Sequence, residues 1–508
     1  MNRFAMKKVG LALLVLLLFA TLATAETKND WSGPKAKYVF LFIGDGMGLQ
    51  QVNAAEIYKS SLEASGKEPS LKRLNLSSLP VQGMITTYSS NSFITDSAPA
   101  ATSLASGYKT DNGVIGMDPT KTKKFTTVAQ MAKAAGMKVG ILSTVSLNHA
   151  TPASFYASQP SRNDYYEIGQ QLIDSGFDYF AGGGLHQSRG KQKDRPDLYD
   201  VAAEKGYAVL RDRSSILAAT GDRPLIAVNP VLDGSNAMPY DMDRGENELS
   251  LAEFTAKGVE LLDNPKGFFM MVEGGKIDWA CHANDAAAAI GDTFAFDEAV
   301  KVGLDFAAKH PDETLVVIVG DHETGGMSLG FAGTQYETFF EKVAFQKESY
   351  ESFDKKIAAF KEGSDRSFEA MMPLVTRSFG LRAVGADERK SLEEKAAAGD
   401  DEARKVLAMA LSDRELEEIR RAFERTLQGE QERAKDEATF LLYGGYEPLS
   451  VKLTQILNQK AGIGWTSYAH TGIPVTLFAS GVGAELFNGY YDNTDVAWKT
   501  MSVAGLRN

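Results

Sequence analysis

Six short apolar runs recur along the chain, at 37–43, 138–143, 177–181, 267–272, 314–319 and 474–479. They lack the alternation of apolar and polar residues that a strand with one wet face needs. A continuous run marks a strand covered on both sides. Between the runs lie stretches of helical spacing, at 127–135 and 294–308. Strands alternating with helices predict an α/β chain, a three-layer αβα sandwich around a mostly parallel sheet. Such sheets bind ligands outside the carboxyl ends of their strands, so the residues that close each run are the candidates for chemistry.

Three runs close on an acid: Asp45 in Gly44-Asp45-Gly46, Glu273 in Glu273-Gly274-Gly275, and Asp321 in Gly320-Asp321-His322. The glycines around Asp45 let the backbone turn sharply and let a ligand approach. Carboxylates crowded at neighbouring strand tips are costly without cations, so this shared position calls for bound metal. Asp278 and His282 are four residues apart, which a helical turn places on one face, a spacing suited to chelation. His322 adjoins Asp321, and His470 stands in Tyr468-Ala469-His470-Thr471-Gly472 before the last run. His186 and His310 read as loop histidines.

Ser97 lies in Thr95-Asp96-Ser97-Ala98-Pro99-Ala100-Ala101-Thr102. A helix starting there would turn its free N–H groups and positive dipole end towards the serine oxygen, which suits an anion or an alkoxide. Taken alone, an ordinary N-cap explains the same residues, and Pro99 is compatible with a first turn. Arg162 offers a guanidinium fork that can hold a phosphate at two points.

Arg3, Lys7 and Lys8 precede an apolar stretch at 9–19, and Ala23-Thr24-Ala25 fits a small-residue cleavage site. Residues 1–25 therefore read as a signal peptide, and the mature chain is expected in the periplasm or outside the cell. The stretch is short for a membrane span, and no later one has transmembrane length. Losing the leader's three positive charges moves the formal net charge from −12 to −15. That balance disfavours nucleic acid, whose phosphates repel it, but admits small anions where metals supply local positive charge. The lone Cys281 excludes an internal disulfide, so stability rests on a large core, which 508 residues can build.

The segment 331–461 breaks the strand–helix alternation and is rich in Glu, Lys, Arg and Ala. Ser412 and Glu415 fit a capping box. Leu416, Ile419, Phe423 and Leu427 form one stripe, with Gly429 as a stop signal. The segment reads as a helical insertion, a crown-like cap or a dimer contact, between catalytic portions at 26–330 and 462–508.

Taken in order, these motifs resemble those of the alkaline phosphatases. The resemblance covers most of the mature chain apart from the insertion. It rests on Asp45, Asp96-Ser97-Ala98, Thr151-Pro152, Glu273-Gly274-Gly275, Asp278 with His282, Asp321-His322 and His470-Thr471-Gly472. It implies two Zn2+ and one Mg2+ per subunit. Asp278, His282 and His470 would hold the first zinc, and Asp45, Asp321 and His322 the second. Asp45, Thr151 and Glu273 would hold the magnesium, an all-oxygen site where the others are richer in nitrogen. It further implies hydrolysis of small phosphate monoesters through a phosphoserine at Ser97, with Arg162 on the phosphoryl oxygens, retention at phosphorus, and a homodimer. His149 and Trp279 stand at positions that vary within the family, as modulators near the site, and leave the third ion's identity open. A sulfatase would carry Arg two residues after the proline of Ser97-Ala98-Pro99, and this chain has Ala101 there. The remaining alternatives are a phosphodiesterase of the same superfamily and a non-catalytic exported protein binding zinc or phosphate.

Overall fold

Every residue of the first strand, β1 (Tyr38–Gly44), is buried, and its side chains divide between two cores. Val39, Leu41 and Ile43 face one; Tyr38, Phe40 and Phe42 face the other. This is why the run does not alternate: both faces of the strand are dry. The computed structural model describes residues 30–63, 71–429 and 436–506; the expected leader lies outside them.

Thirteen further strands follow: β2 (Val81–Thr86), β3 (Lys138–Ser143), β4 (Tyr179–Gly182), β5 (Ala208–Leu210), β6 (Leu225–Val228), β7 (Phe268–Gly274), β8 (Thr314–Gly320), β9 (Glu323–Thr324), β10 (Ser328–Leu329), β11 (Ile463–Gly464), β12 (His470–Thr471), β13 (Val475–Gly481) and β14 (Gly489–Asp492). Ten of the fourteen form one sheet in the order β14-β2-β13-β8-β1-β7-β3-β4-β6-β5. Within it β13 alone runs against the rest. The helices Ser97–Ser106, Val128–Ala134, Tyr165–Asp174 and Thr494–Val503 cover one face. Leu49–Glu63, Leu251–Leu262 and Ala286–Ala307 cover the other, giving the αβα sandwich expected from the runs.

Register decides where the chemistry falls. Gly44 of β1 lies level with Gly274 of β7 and with Gly320 of β8. Ser143 of β3 lies level with Glu273. Asp45, Glu273 and Asp321 therefore arrive at one edge of three adjacent parallel strands, within one residue of the same level.

Some sequence expectations need correction. The 294–308 helix is the second half of a single helix, Ala286–Ala307, whose alanine-rich start shows no amphipathic stripe because it is buried nearly all round. Asp285 caps it by accepting from the Ala288 N–H at 3.0 Å. Four short sheet strands, β2, β5, β6 and β14, fall outside the apolar runs; β6 is apolar throughout but only four residues long. Within 331–461 the capping box at Ser412 and Glu415 forms, and Ile419 and Phe423 are buried. Leu427 is 39% exposed and does not extend the stripe inward. The helices of this segment enclose their own apolar cluster, including Phe353, Phe379, Phe423 and Leu453. Among the described residues no helix is long and apolar enough to cross a membrane.

Candidate metal centre

Asp45, Glu273 and Asp321 are fully buried and share one arrangement: one carboxylate oxygen is tethered and the other has no hydrogen-bond partner. Asp321 Oδ1 accepts from the N–H groups of Gly46 (3.1 Å) and His322 (2.9 Å) while Oδ2 is unpartnered. Asp45 Oδ2 accepts from Thr151 Oγ1 at 3.3 Å while Oδ1 is unpartnered. Glu273 Oε2 accepts from Ser143 Oγ while Oε1 is unpartnered. Buried polar atoms are nearly always paired, so three free oxygens aimed into one space point to cations. Burial raises the pKa of Asp45 first, and the neighbouring charges of Asp321, Asp278 and Glu273 raise it further. Glu273 is pushed up to about 7, mainly by burial.

The turn that brings these groups together needs glycine at Gly46. Its φ is +70°, and a Cβ there would fall 2.8 Å from the Cα of Asp278. Asp278 and His282 lie on the short helix Lys276–His282, as their spacing predicts. His282 Nδ1 donates to the Tyr468 carbonyl at 2.6 Å and His470 Nδ1 to the Thr95 carbonyl at 2.8 Å. A carbonyl only accepts, so Nδ1 of each ring carries a proton, and with the ring neutral Nε2 is left with the lone pair. Those two atoms face each other at 3.1 Å. Asp278 lies 3.4 Å from His282 Nε2 and 3.6 Å from His470 Nε2. Lone pairs and a carboxylate converging this closely are the donor set of a divalent ion, with the outer carbonyls fixing ring orientation.

Ser97 opens the helix Ser97–Ser106, with Asp96 as its N-cap accepting from the Ala98 N–H at 2.7 Å. Its Oγ lies 3.2 Å from His322 Nε2. That nitrogen is also 3.3 Å from Asp45 and 3.4 Å from Asp321. Burial, and then the nearby His470, hold His322 well below the usual imidazole range, so it is neutral. Arg162 is held from two sides, by Asp96 at 3.2 Å and by His149 Nε2 at 3.1 Å. A guanidinium can only donate, so His149 must accept there and be neutral. Burial, followed by the charge of Arg162, lowers it to about 3.

Among the described residues three groups could each surround an ion: Asp278 with His282 and His470, Asp45 with Asp278 and His322, and Asp45 with His149 and Glu273. The first group is the set read from the sequence; the second has Asp278 where that reading has Asp321, which lies 3.4 Å from His322 Nε2. The sequence reading put Thr151 in the third group and His149 beside it; the geometry brings both close to Asp45. Trp279 stands edge to face with His149, their rings 6.1 Å apart. Sequence reasoning missed the supporting groups. Thr324 donates to Asp278 Oδ1 at 2.5 Å. The buried Glu323 ties β9 to β12 and the Leu49–Glu63 helix by accepting from Thr471 Oγ1 and Gln51 Nε2. Asp96 has its second role on Arg162. A polar residue directly after a ligand pair is the one signal that could have exposed Glu323 and Thr324; Ser143 depends on strand register, which sequence does not print.

A serine at a helix N-terminus, ringed by carboxylates and imidazoles at the strand tips of an αβα sandwich, defines a metal-dependent hydrolase. Residues 36–506 match the alkaline phosphatase family, and the chain belongs to that family. It is 30% identical to alkaline phosphatase 3 of Bacillus subtilis (strain 168) over 513 residues, covering 98% of this chain and 96% of that one. It is similar in structure to the Thermus thermophilus alkaline phosphatase, with a TM-score of 0.71 at 26% identity, covering 95% of this chain and 94% of that one. Its TM-score to a cold-active alkaline phosphatase from a psychrophilic Shewanella is 0.69 at 28% identity, covering 92% and 99%.

Proposed function

We propose that the chain hydrolyses phosphate monoesters through a phosphoserine at Ser97. The observation that best supports this is the set of tethered acids, each with one free buried oxygen, grouped around a serine on a helix N-terminus. Two Zn2+ (Asp278, His282 and His470; Asp45, Asp321 and His322) and one Mg2+ (Asp45, Thr151 and Glu273) per subunit would stabilise the attacking and leaving oxygens and lower the pKa of the hydrolytic water. The chain's own groups do the rest. The helix N-terminus favours the ionised Ser97, whose Oγ bonds to phosphorus as the bond to the leaving alkoxide breaks. The alkoxide takes up a proton and departs as the alcohol. Arg162, aimed by Asp96 and His149, binds two phosphoryl oxygens. Water then gives up a proton and attacks phosphorus as the P–Oγ bond breaks, which frees Ser97 and leaves inorganic phosphate, so two inversions give retention. His149, kept neutral, orients the guanidinium.

In this reading residues 331–461 are an insertion into a catalytic domain formed by 26–330 and 462–508. The protein is exported behind the 1–25 leader to the periplasm or beyond, and it works as a homodimer. The test is phosphate release from an aryl phosphate at alkaline pH before chelation, after it, and after return of zinc with magnesium. Activity that is lost and restored, with radiolabelled phosphate trapped on the wild type and absent from Ser97→Ala, is the expected result. No turnover by a folded, zinc-loaded sample would overturn it.

A further inference from the structure

The cavity above the candidate site measures about 620 Å³. That lies within the ~300–1,000 Å³ typical of sites that enclose organic molecules. Its floor carries Ser97, Arg162, Asp278, His282 and His470, and its wall is built of rings: Trp279, Tyr350, Phe440, Tyr446 and Tyr468. Phe440 and Tyr446 belong to the 331–461 segment and flank Gly444 and Gly445, which line the cavity too. Phe440 is 44% exposed, so one ring of the wall stands at the open side.

We propose that the wall selects monoesters whose alcohol carries a flat aromatic or heteroaromatic ring. This rests on the phosphomonoesterase reading and adds the leaving-group class. The wall is built in advance. Tyr468 donates its phenolic hydrogen to the Leu442 carbonyl at 2.7 Å and accepts from Gln455 Nε2 at 2.6 Å. Gly444, at φ +63°, lets the backbone pass so close that a Cβ would fall 2.3 Å from the Tyr468 ring. Tyr350 meets Tyr446 edge on at 5.8 Å, and Phe440 meets Tyr468 at 6.4 Å. Rings fixed before binding take up a flat partner without the cost of ordering side chains. Among the lining residues Arg162 is the one permanent cation, and the phosphoryl group being transferred occupies it. The wall therefore offers no second cation for a further phosphate. It adjoins Asp278, His282 and His470, which line the same cavity, and the carbonyl of its Tyr468 holds His282.

The test compares substrates that leave with matched alcohols and differ in the ring: adenosine 5′-monophosphate against ribose 5-phosphate, and 2-phenylethyl phosphate against propyl phosphate. Stacking of one base on an aromatic side chain is worth about 1–3 kcal/mol, so kcat/KM for the ring-bearing member should be higher by about 5- to 150-fold in both pairs. In Phe440→Ala and Tyr446→Ala the two ratios should fall towards one; Tyr446→Leu, which keeps the volume, should lower them too. Ratios near one in the wild type, with all four esters hydrolysed, would overturn the inference and leave the phosphatase reading standing. So would a preference confined to the adenosine pair, or ratios unchanged in every variant. No hydrolysis of any of the four would overturn the reading beneath it.

Discussion

Asp45 should reverse the sign of its contribution to stability when metal is added. Its carboxylate is fully buried and groups with Asp278 and His322 on one side and with His149 and Glu273 on the other, ligand atoms lying within 4.8 Å. At an effective dielectric of about 20, two charges at that distance repel by about 3.5 kcal/mol, and Asp45 faces more than one. Without metal, burial and these neighbouring charges raise the pKa of Asp45 and favour its protonated form. Holding a carboxyl of ordinary value 3.8 protonated at pH 8 costs at most about 6 kcal/mol. Asp45→Asn removes that cost at similar size. The metal-free variant should therefore be more stable than metal-free wild type at pH 8 by about 3–6 kcal/mol. For 508 residues unfolding as one unit this is roughly 1 °C of melting temperature per kcal/mol. With zinc and magnesium added the order should invert, because the amide binds cations weakly. Every tenfold loss in affinity at saturating metal lowers the stability gain by about 1.4 kcal/mol. The assay is calorimetry of both proteins at pH 5 and pH 8.5, chelated and loaded. A raised carboxyl stabilises the fold below its unfolded pKa and loses that effect as pH rises towards the folded one. The metal-free wild type should thus fall more steeply with pH than the variant. A metal-free Asp45→Asn that melts below metal-free wild type at pH 8.5 would refute the reasoning.

Three further outcomes are expected. Arg162→Ala loses charge-assisted hydrogen bonds to the phosphoryl group, so kcat/KM for a phosphate monoester should drop by about 10- to 100-fold, with inorganic phosphate inhibiting correspondingly less in steady-state assays. Thr324→Val preserves shape but removes the hydrogen bond to Asp278 Oδ1. Zinc competition with a chromophoric chelator should show affinity weakened by about 10-fold or more. Asp354, on the helix Tyr350–Lys361, accepts from Ser450 Oγ on the helix Pro448–Ala461, and burial pushes it up to about 7. Its stabilising effect is full below about pH 4 and is lost as pH rises through 7. Asp354→Asn should flatten the fall in melting temperature over that interval.

The core strands were legible because a sheet covered on both faces writes itself as unbroken apolar runs, and β1, β7 and β8 are such runs. The acids that close them were legible for the same reason, since a strand's end marks where its ligands gather. β5, with three partly exposed residues, and β14, with Gly489 and Tyr490 exposed, lie at the sheet's margins and left no such trace. The metal cluster was visible as residue types at strand ends, but its supports were not. Ser143 reaches Glu273 only through the pairing of β3 with β7. Thr95 and Tyr468 act on His470 and His282 through their carbonyls, which every residue possesses. The ring-lined cavity was invisible for a different reason. Its members come from 279, 350, 440, 446 and 468, and only folding makes neighbours of them.

Tyr468 belongs to two structures at once. Its carbonyl steadies His282, while its ring and hydroxyl rest on Gly444, Leu442 and Gln455. Evolution can therefore redraw the far wall of the cavity, exchanging Phe440 or Tyr446 and changing what is accepted, while the floor laid down by strand register stays as it is. Tyr468 marks the border of that freedom. A change there that shifts the main chain would reach His282 through the carbonyl it leans on.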